Sequence, residues 1–126
     1  MKFMFTIYHD QNVLDAMPDK EMQALVDSAI EYAEELRQSG HFIASDALQR
    51  TGTARTIRVR AGKVSTAVGP YVETKEQLGG FFLIEAKDMD EACAVAARFP
   101  PARVAVLEVR PVQKLTHSQD QRGLPN

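Results

Sequence analysis

The chain has 126 residues, 44% of them hydrophobic and 25% charged, so it can bury the core of one domain and is too short for two. Fifteen Lys and Arg against seventeen Asp and Glu leave a net charge of −2, which argues against a protein that holds nucleic acid by bulk electrostatics. The single cysteine, Cys93, excludes an intrachain disulfide, a CxxC pair and a thiolate zinc cluster.

Residues 2–9 alternate as a strand does, with Phe3, Phe5 and Ile7 on one face and Met4, Thr6 and Tyr8 on the other. The apolar run is cut off at His9-Asp10, too short for a signal peptide or a membrane span, and with a free thiol the expected compartment is the cytoplasm. Asn12, Asp15 and Pro18 mark residues 10–18 as a loop. A helix is predicted over 19–39, because Met22, Leu25, Val26, Ala29, Ile30, Ala33 and Leu36 recur at helical spacing and Gly40 suits a left-handed cap. A weaker strand covers 42–48. Residues 54–60 and 63–68 form a hairpin about a tight Ala61-Gly62 turn, and Gly69-Pro70 ends it. Residues 71–78 read as a polar loop, and Gly79-Gly80 releases into the apolar strand Phe81–Ile84. Asp88 and Glu91 have the spacing of a capping box, with Met89, Ala92, Cys93, Ala96 and Phe99 as the buried stripe of a short helix. Cys93 on that stripe is expected to be a small core residue. Pro100-Pro101 ends the helix, and 104–109 is a last strand.

The order β-α-β, hairpin, β-α-β describes an α+β protein, a ferredoxin-like βαβ(ββ)βαβ sandwich with an inserted hairpin. Residues 1–112 are the expected domain and 113–126 a polar tail. Helices can cover only one face of such a sheet. The other would carry Met4, Thr6, Tyr8 and one side of the Phe81–Ile84 strand, too apolar for open solvent. Pairing two sheets across a two-fold axis buries it, which predicts a homodimer of the dimeric α/β-barrel kind.

Chemistry concentrates in the stretch Gly69-Pro70-Tyr71-Val72-Glu73-Thr74-Lys75-Glu76-Gln77-Leu78-Gly79-Gly80-Phe81. Its glycines and proline constrain a loop that carries Glu73, Lys75 and Glu76. A carboxylate beside a lysine at a pocket mouth can serve as a general base or anchor a ligand; it can equally just shape the loop. His9 at the end of the first strand titrates near neutral pH, and Asp10 or Asp46 could assist it. His41 and His117 share no ligand spacing with His9, so neither a metal site nor a cofactor is expected. Arg50, Arg55, Arg58, Arg60 and Lys63 form one basic stretch, suited to an anionic partner or to guarding an exposed edge.

The Gly69–Phe81 stretch resembles the signature Asp-Gly-Pro-Phe-x-Glu-x-Lys-Glu-x-x-x-Gly of the DGPF-type proteins in the YCII-related family. Gly69, Pro70, Tyr71 in place of Phe, Glu73, Lys75, Glu76 and Gly80 match it, while Val68 replaces the aspartate. The resemblance implies a ferredoxin-like fold and a dimeric barrel. It implies a small-molecule enzyme in some relatives, built on a His-Asp pair whose positions here fall near Ser28-Ala29-Ile30 and Phe99-Pro100. For some DGPF proteins it implies association with an extracytoplasmic-function sigma factor. The expected function is binding of a small organic ligand in a cleft between sheet and helices. Tyr8, His9, Asp46, Tyr71 and Glu73 would line it, with Lys75 and Glu76 beside them and proton transfer by His9 or Glu73. The alternative is a non-catalytic regulatory or interaction protein.

Overall fold

The computed structural model describes residues 1–120, 122 and 123. Four antiparallel strands form one open sheet: β1 (Lys2–Asp10), β2 (Phe42–Ala47), β5 (Glu76–Glu85) and β6 (Val106–Pro111), in the order β2-β5-β1-β6. With helices α2 (Asp19–Ser39) and α3 (Met89–Ala97) as its connections, this is the ferredoxin-like topology that the order of elements predicts. Strands β3 (Arg55–Arg60) and β4 (Lys63–Val68) pair only with each other, as the inserted hairpin. Its turn holds Ala61 at φ 50° and Gly62 at φ 76°, the two positive values a type I′ turn requires.

The alternation in β1 decides where the core lies. Phe3, Phe5 and Ile7 are buried beneath the helices, and the register sets Phe5 opposite Phe82 and Phe3 opposite Ile84. Phe5 stacks on Phe82 with ring centroids 5.0 Å apart, while Tyr32 and Phe99 meet Phe82 edge-on at 5.4 and 5.3 Å. Tyr32 lies outside the expected helical stripe yet is buried. Its hydroxyl donates to the Val95 carbonyl at 2.5 Å, and burial pushes its phenol up to about 12. Tyr32 continues Leu25 and precedes Leu36 at helical spacing, a stripe rotated from the one that the aliphatic residues suggest. The rotation leaves Val26 and Ile30 exposed.

Three local expectations are corrected. Residues 11–15 form a short helix, α1 (Gln11–Asp15), in place of loop, because the Asp10 carboxylate accepts from the Asn12 amide at 3.0 Å and caps it. Strand β5 begins at Glu76, well before Phe81, since Glu76, Gln77 and Leu78 pair with Asp10, His9 and Tyr8. Gly79 is the extra residue of a bulge between Ile7 and Tyr8, so Gly79-Gly80 marks a kink inside the strand and not its start. Cys93 is exposed. The buried positions of α3 are Ala92, Val95 and Ala96, and Cys93 sits one residue, about 100°, off that stripe. The capping of α3 is as expected: the Glu91 amide donates to Asp88 Oδ1 at 2.9 Å.

On the open face, Met4, Thr6, Tyr8, Phe81 and Leu83 are only half-buried, and Val106 is exposed. Among the described residues no helix is long and apolar enough to cross a membrane.

Candidate functional site

A cleft of about 500 Å³ opens between α2 and the helix-covered side of β1, β2 and β5. Its walls are mostly apolar: Leu14 of α1, Leu25, Val26 and Ile30 of α2, Phe42 of β2 and Phe82 of β5. His9, Ser45, Asp46 and Arg50 gather at one end, where β1 and β2 finish, while Arg37, its guanidinium 4.4 Å from the Phe42 ring centroid, borders the other. A mostly apolar chamber with a few polar groups at its borders suits a small organic molecule.

His9 reaches this end because it shares the face of Phe5 and Ile7. Its ring occupies the space above Gly79: a Cβ there would stand 2.2 Å from Cδ2 and 2.3 Å from Nε2. The bulge therefore places a residue without a side chain where the imidazole lies. His9 Nδ1 is buried and has no hydrogen-bond partner. Burial, and then the Arg50 charge, lower its pKa from the ordinary 6.5, so the imidazole is neutral at pH 7. A neutral ring has one nitrogen free to accept a proton or hydrogen bond.

Around this end α1 is fastened to the segment after β2. Gln11 Nε2 donates to Thr51 Oγ1 at 2.8 Å, the Thr51 amide donates to Gln11 Oε1 at 3.3 Å, and Arg50 Nε donates to Asp15 Oδ1 at 3.1 Å. Asp10, spent on capping α1, is not directed at His9 by any hydrogen bond. Gly80 permits the approach of β2, since a Cβ on it would stand 2.8 Å from the Asp46 carbonyl oxygen.

Of the residues that sequence singles out, His9 and Asp46 border the cleft, although Asp46 pairs with Phe81 and its residue is exposed. Tyr8 belongs to the open face, across from Leu78 and Val106. Tyr71 is exposed at the root of the hairpin with the Arg58 guanidinium 4.9 Å from its ring centroid. Glu73, Lys75 and Glu76 are exposed, and the structure does not bring them to His9. Their loop is shaped instead by Gln77 Nε2, donating to the Val72 and Thr74 carbonyls at 2.8 and 2.9 Å, and by Thr74 Oγ1, donating to the Glu76 carbonyl at 2.7 Å. Sequence reading names Gly79 only as the exit of a loop and gives Gln77 no role; the structure makes Gly79 the extra residue of the bulge and Gln77 the brace of the loop. The Gly79-Gly80 pair inside a run of strand formers was the available signal. Among the described residues no three His, Cys, Asp or Glu side chains gather as they would around a metal ion.

Fold and cleft together define an α+β protein of ferredoxin-like topology with an apolar chamber ending at a histidine. The chain belongs to the YCII-related family: the profile of the YCII-related domain matches residues 1–116. An uncharacterized protein of Rhizobium meliloti (strain 1021) is 31% identical over 114 residues, which are 89% of this chain and 92% of that protein. Among solved structures, 5-chloro-2-hydroxyhydroquinone dehydrochlorinase from Burkholderia phenoliruptrix AC1100, in complex with 2,5-dihydroxybenzoquinone, is similar over 90% of this chain and 94% of its own. The identity is 15% and the TM-score 0.48.

Proposed function

We propose that this YCII-related protein binds a small organic molecule, apolar in body and polar at one end, in the cleft between α2 and the sheet. The observation that carries this reading is His9, which lines the more polar end of a mostly apolar chamber and whose buried Nδ1 has no hydrogen-bond partner. Burying such a group unpaired costs about 1–3 kcal/mol, which a ligand donor or acceptor would recover. Held neutral, His9 is suited to accept a proton from the ligand, and acid–base chemistry in this reading rests on His9 alone. A second copy covers the half-buried open face of the sheet, giving a homodimer.

A second reading, a non-catalytic interaction protein, is favoured by one feature: Glu73, Lys75 and Glu76 face solvent on a hydrogen-bonded loop, available to a macromolecular surface. A thermal-shift screen of metabolites against wild type, His9→Ala and Glu73→Ala separates the two. A ligand at a hundred times its Kd stabilises by about 2.7 kcal/mol. A stabilising compound whose effect is lost in His9→Ala and kept in Glu73→Ala supports the cleft. Hits lost only in Glu73→Ala would overturn it.

A further inference from the structure

The hairpin β3–β4 stands apart from everything else in the molecule. It forms a separate two-stranded sheet, and no residue from 43 to 79 is buried. A lone hairpin is marginal in water, and three or more strands or a packing partner are normally needed. At its root the two strands are tied to each other, the Gly69 amide donating to the Ala54 carbonyl and Thr56 Oγ1 to the Gly69 carbonyl, both at 2.9 Å.

The register divides the hairpin into two unlike faces. Arg55, Ile57 and Val59 face the same way as Val64, Thr66 and Val68. Four of these six are β-branched hydrocarbons, and Ile57, Val59, Val64 and Val68 are 56–74% exposed. The other face presents Arg58, Arg60 and Lys63. Among the described residues none of these four cations of the hairpin pairs with a carboxylate; Arg55 and Arg60 donate to main-chain carbonyls and Arg58 lies over Tyr71. Between Asp46 and Glu73 the chain holds no acid and five cations, counting Arg50, so with −2 overall the remainder carries −7.

We infer that the hairpin is an arm that docks its Ile57/Val59/Val64/Val68 face on a second copy of this chain. Charge selects that occupant. A basic arm on a chain whose remaining residues sum to −7 is complementary to its own kind, and the cations, on the face opposite the apolar one, act as a long-range field that steers the two copies together. The apolar face then supplies the contact that the isolated hairpin lacks. This inference rests on the homodimer reading above and adds an element that the sheet contact does not require.

The test combines sedimentation equilibrium with photo-crosslinking on the full chain. Wild type, Ile57→Asp/Val64→Asp and Arg58→Gln/Arg60→Gln/Lys63→Gln are compared in ~50 and ~500 mM salt, a range over which exposed charges pass from weakly to strongly screened. The altered side chains are exposed, and circular dichroism verifies that each variant keeps the fold. The apolar pair of substitutions is expected to raise the dimer Kd about tenfold or more, as loss of an interface anchor does. The charge variant is expected to flatten the rise of Kd with salt. A photoreactive residue at Val59 is expected to give crosslinked dimers. A wild type that is monomeric overturns the homodimer reading and the arm with it. A wild type that is dimeric, with Kd unchanged in both variants and no crosslink from position 59, overturns the arm alone.

Discussion

The imidazole of His9 lies where a side chain on Gly79 would have to be: a Cβ there would come within 2.2 Å of Cδ2. Two residues on neighbouring strands thus share one volume, and the bulge between Ile7 and Tyr8 makes the sharing possible. Gly79→Ala is expected to drive the ring out of its place and to destabilise the fold by about 1–3 kcal/mol, the usual cost of overpacking. In a His9→Ala background the same substitution should cost much less. Urea denaturation of the four proteins in a double-mutant cycle measures the coupling, expected to be about 1 kcal/mol or more.

Gly80 is constrained by main chain and not by a side chain. The Asp46 carbonyl oxygen, 2.8 Å from a virtual Cβ, belongs to the ladder that joins β2 to β5 and has little freedom to withdraw. Gly80→Ala is therefore expected to destabilise the protein by about 1–3 kcal/mol in any background, His9→Ala included. Amide hydrogen exchange should show β2 losing protection before β1.

His9 makes stability depend on pH in a definite direction. Its folded pKa lies below the ordinary 6.5, through burial and then through Arg50, so the unfolded chain takes up the proton more readily. Above the unfolded value both states are neutral and His9 imposes no penalty. As pH falls through 6.5 and on past the lowered folded value, stability declines and then levels. His9→Gln is expected to remove this part of the acid limb, and Arg50→Gln to move the NMR-detected His9 titration upward. Unfolding by urea between pH 7.5 and pH 5 reads the first, and the His9 Cε1 proton shift reads the second.

The signature loop is expected to separate by role. Glu73 is exposed and takes no part in the hydrogen bonds that shape the loop, so Glu73→Ala should change stability by no more than about 0.5 kcal/mol. Gln77→Ala removes two bonds to main-chain carbonyls, each worth about 1 kcal/mol, and should be the more damaging. Thermal unfolding of the two variants side by side checks the order.

Tyr32 closes the core between α2 and α3. Tyr32→Phe should cost about 1 kcal/mol, since the Val95 carbonyl keeps a bond from the Arg98 amide. Tyr32→Ala should cost about 3–5 kcal/mol, because it opens a cavity between Phe82 and Phe99. Calorimetry of both variants separates the hydroxyl from the ring.

Much of the architecture was legible in the residues because local rules set it. Alternation in β1 selects Phe3, Phe5 and Ile7 for the core, Gly40 at φ 81° ends α2, and Ala61-Gly62 makes the hairpin turn. The Glu73–Glu76 motif carries the family resemblance just as locally. Which residues meet was a different matter. His9 and Gly79 are seventy positions apart in sequence, and only the register of β1 on β5, with its bulge, sets one over the other. The loop before β5 leaves Glu73 in solvent and apart from His9, which its place in the motif does not reveal. Side-chain periods fix the face a residue takes within its own element; the contacts between elements depend on pairing and packing summed over the whole sheet, which no short stretch of sequence contains.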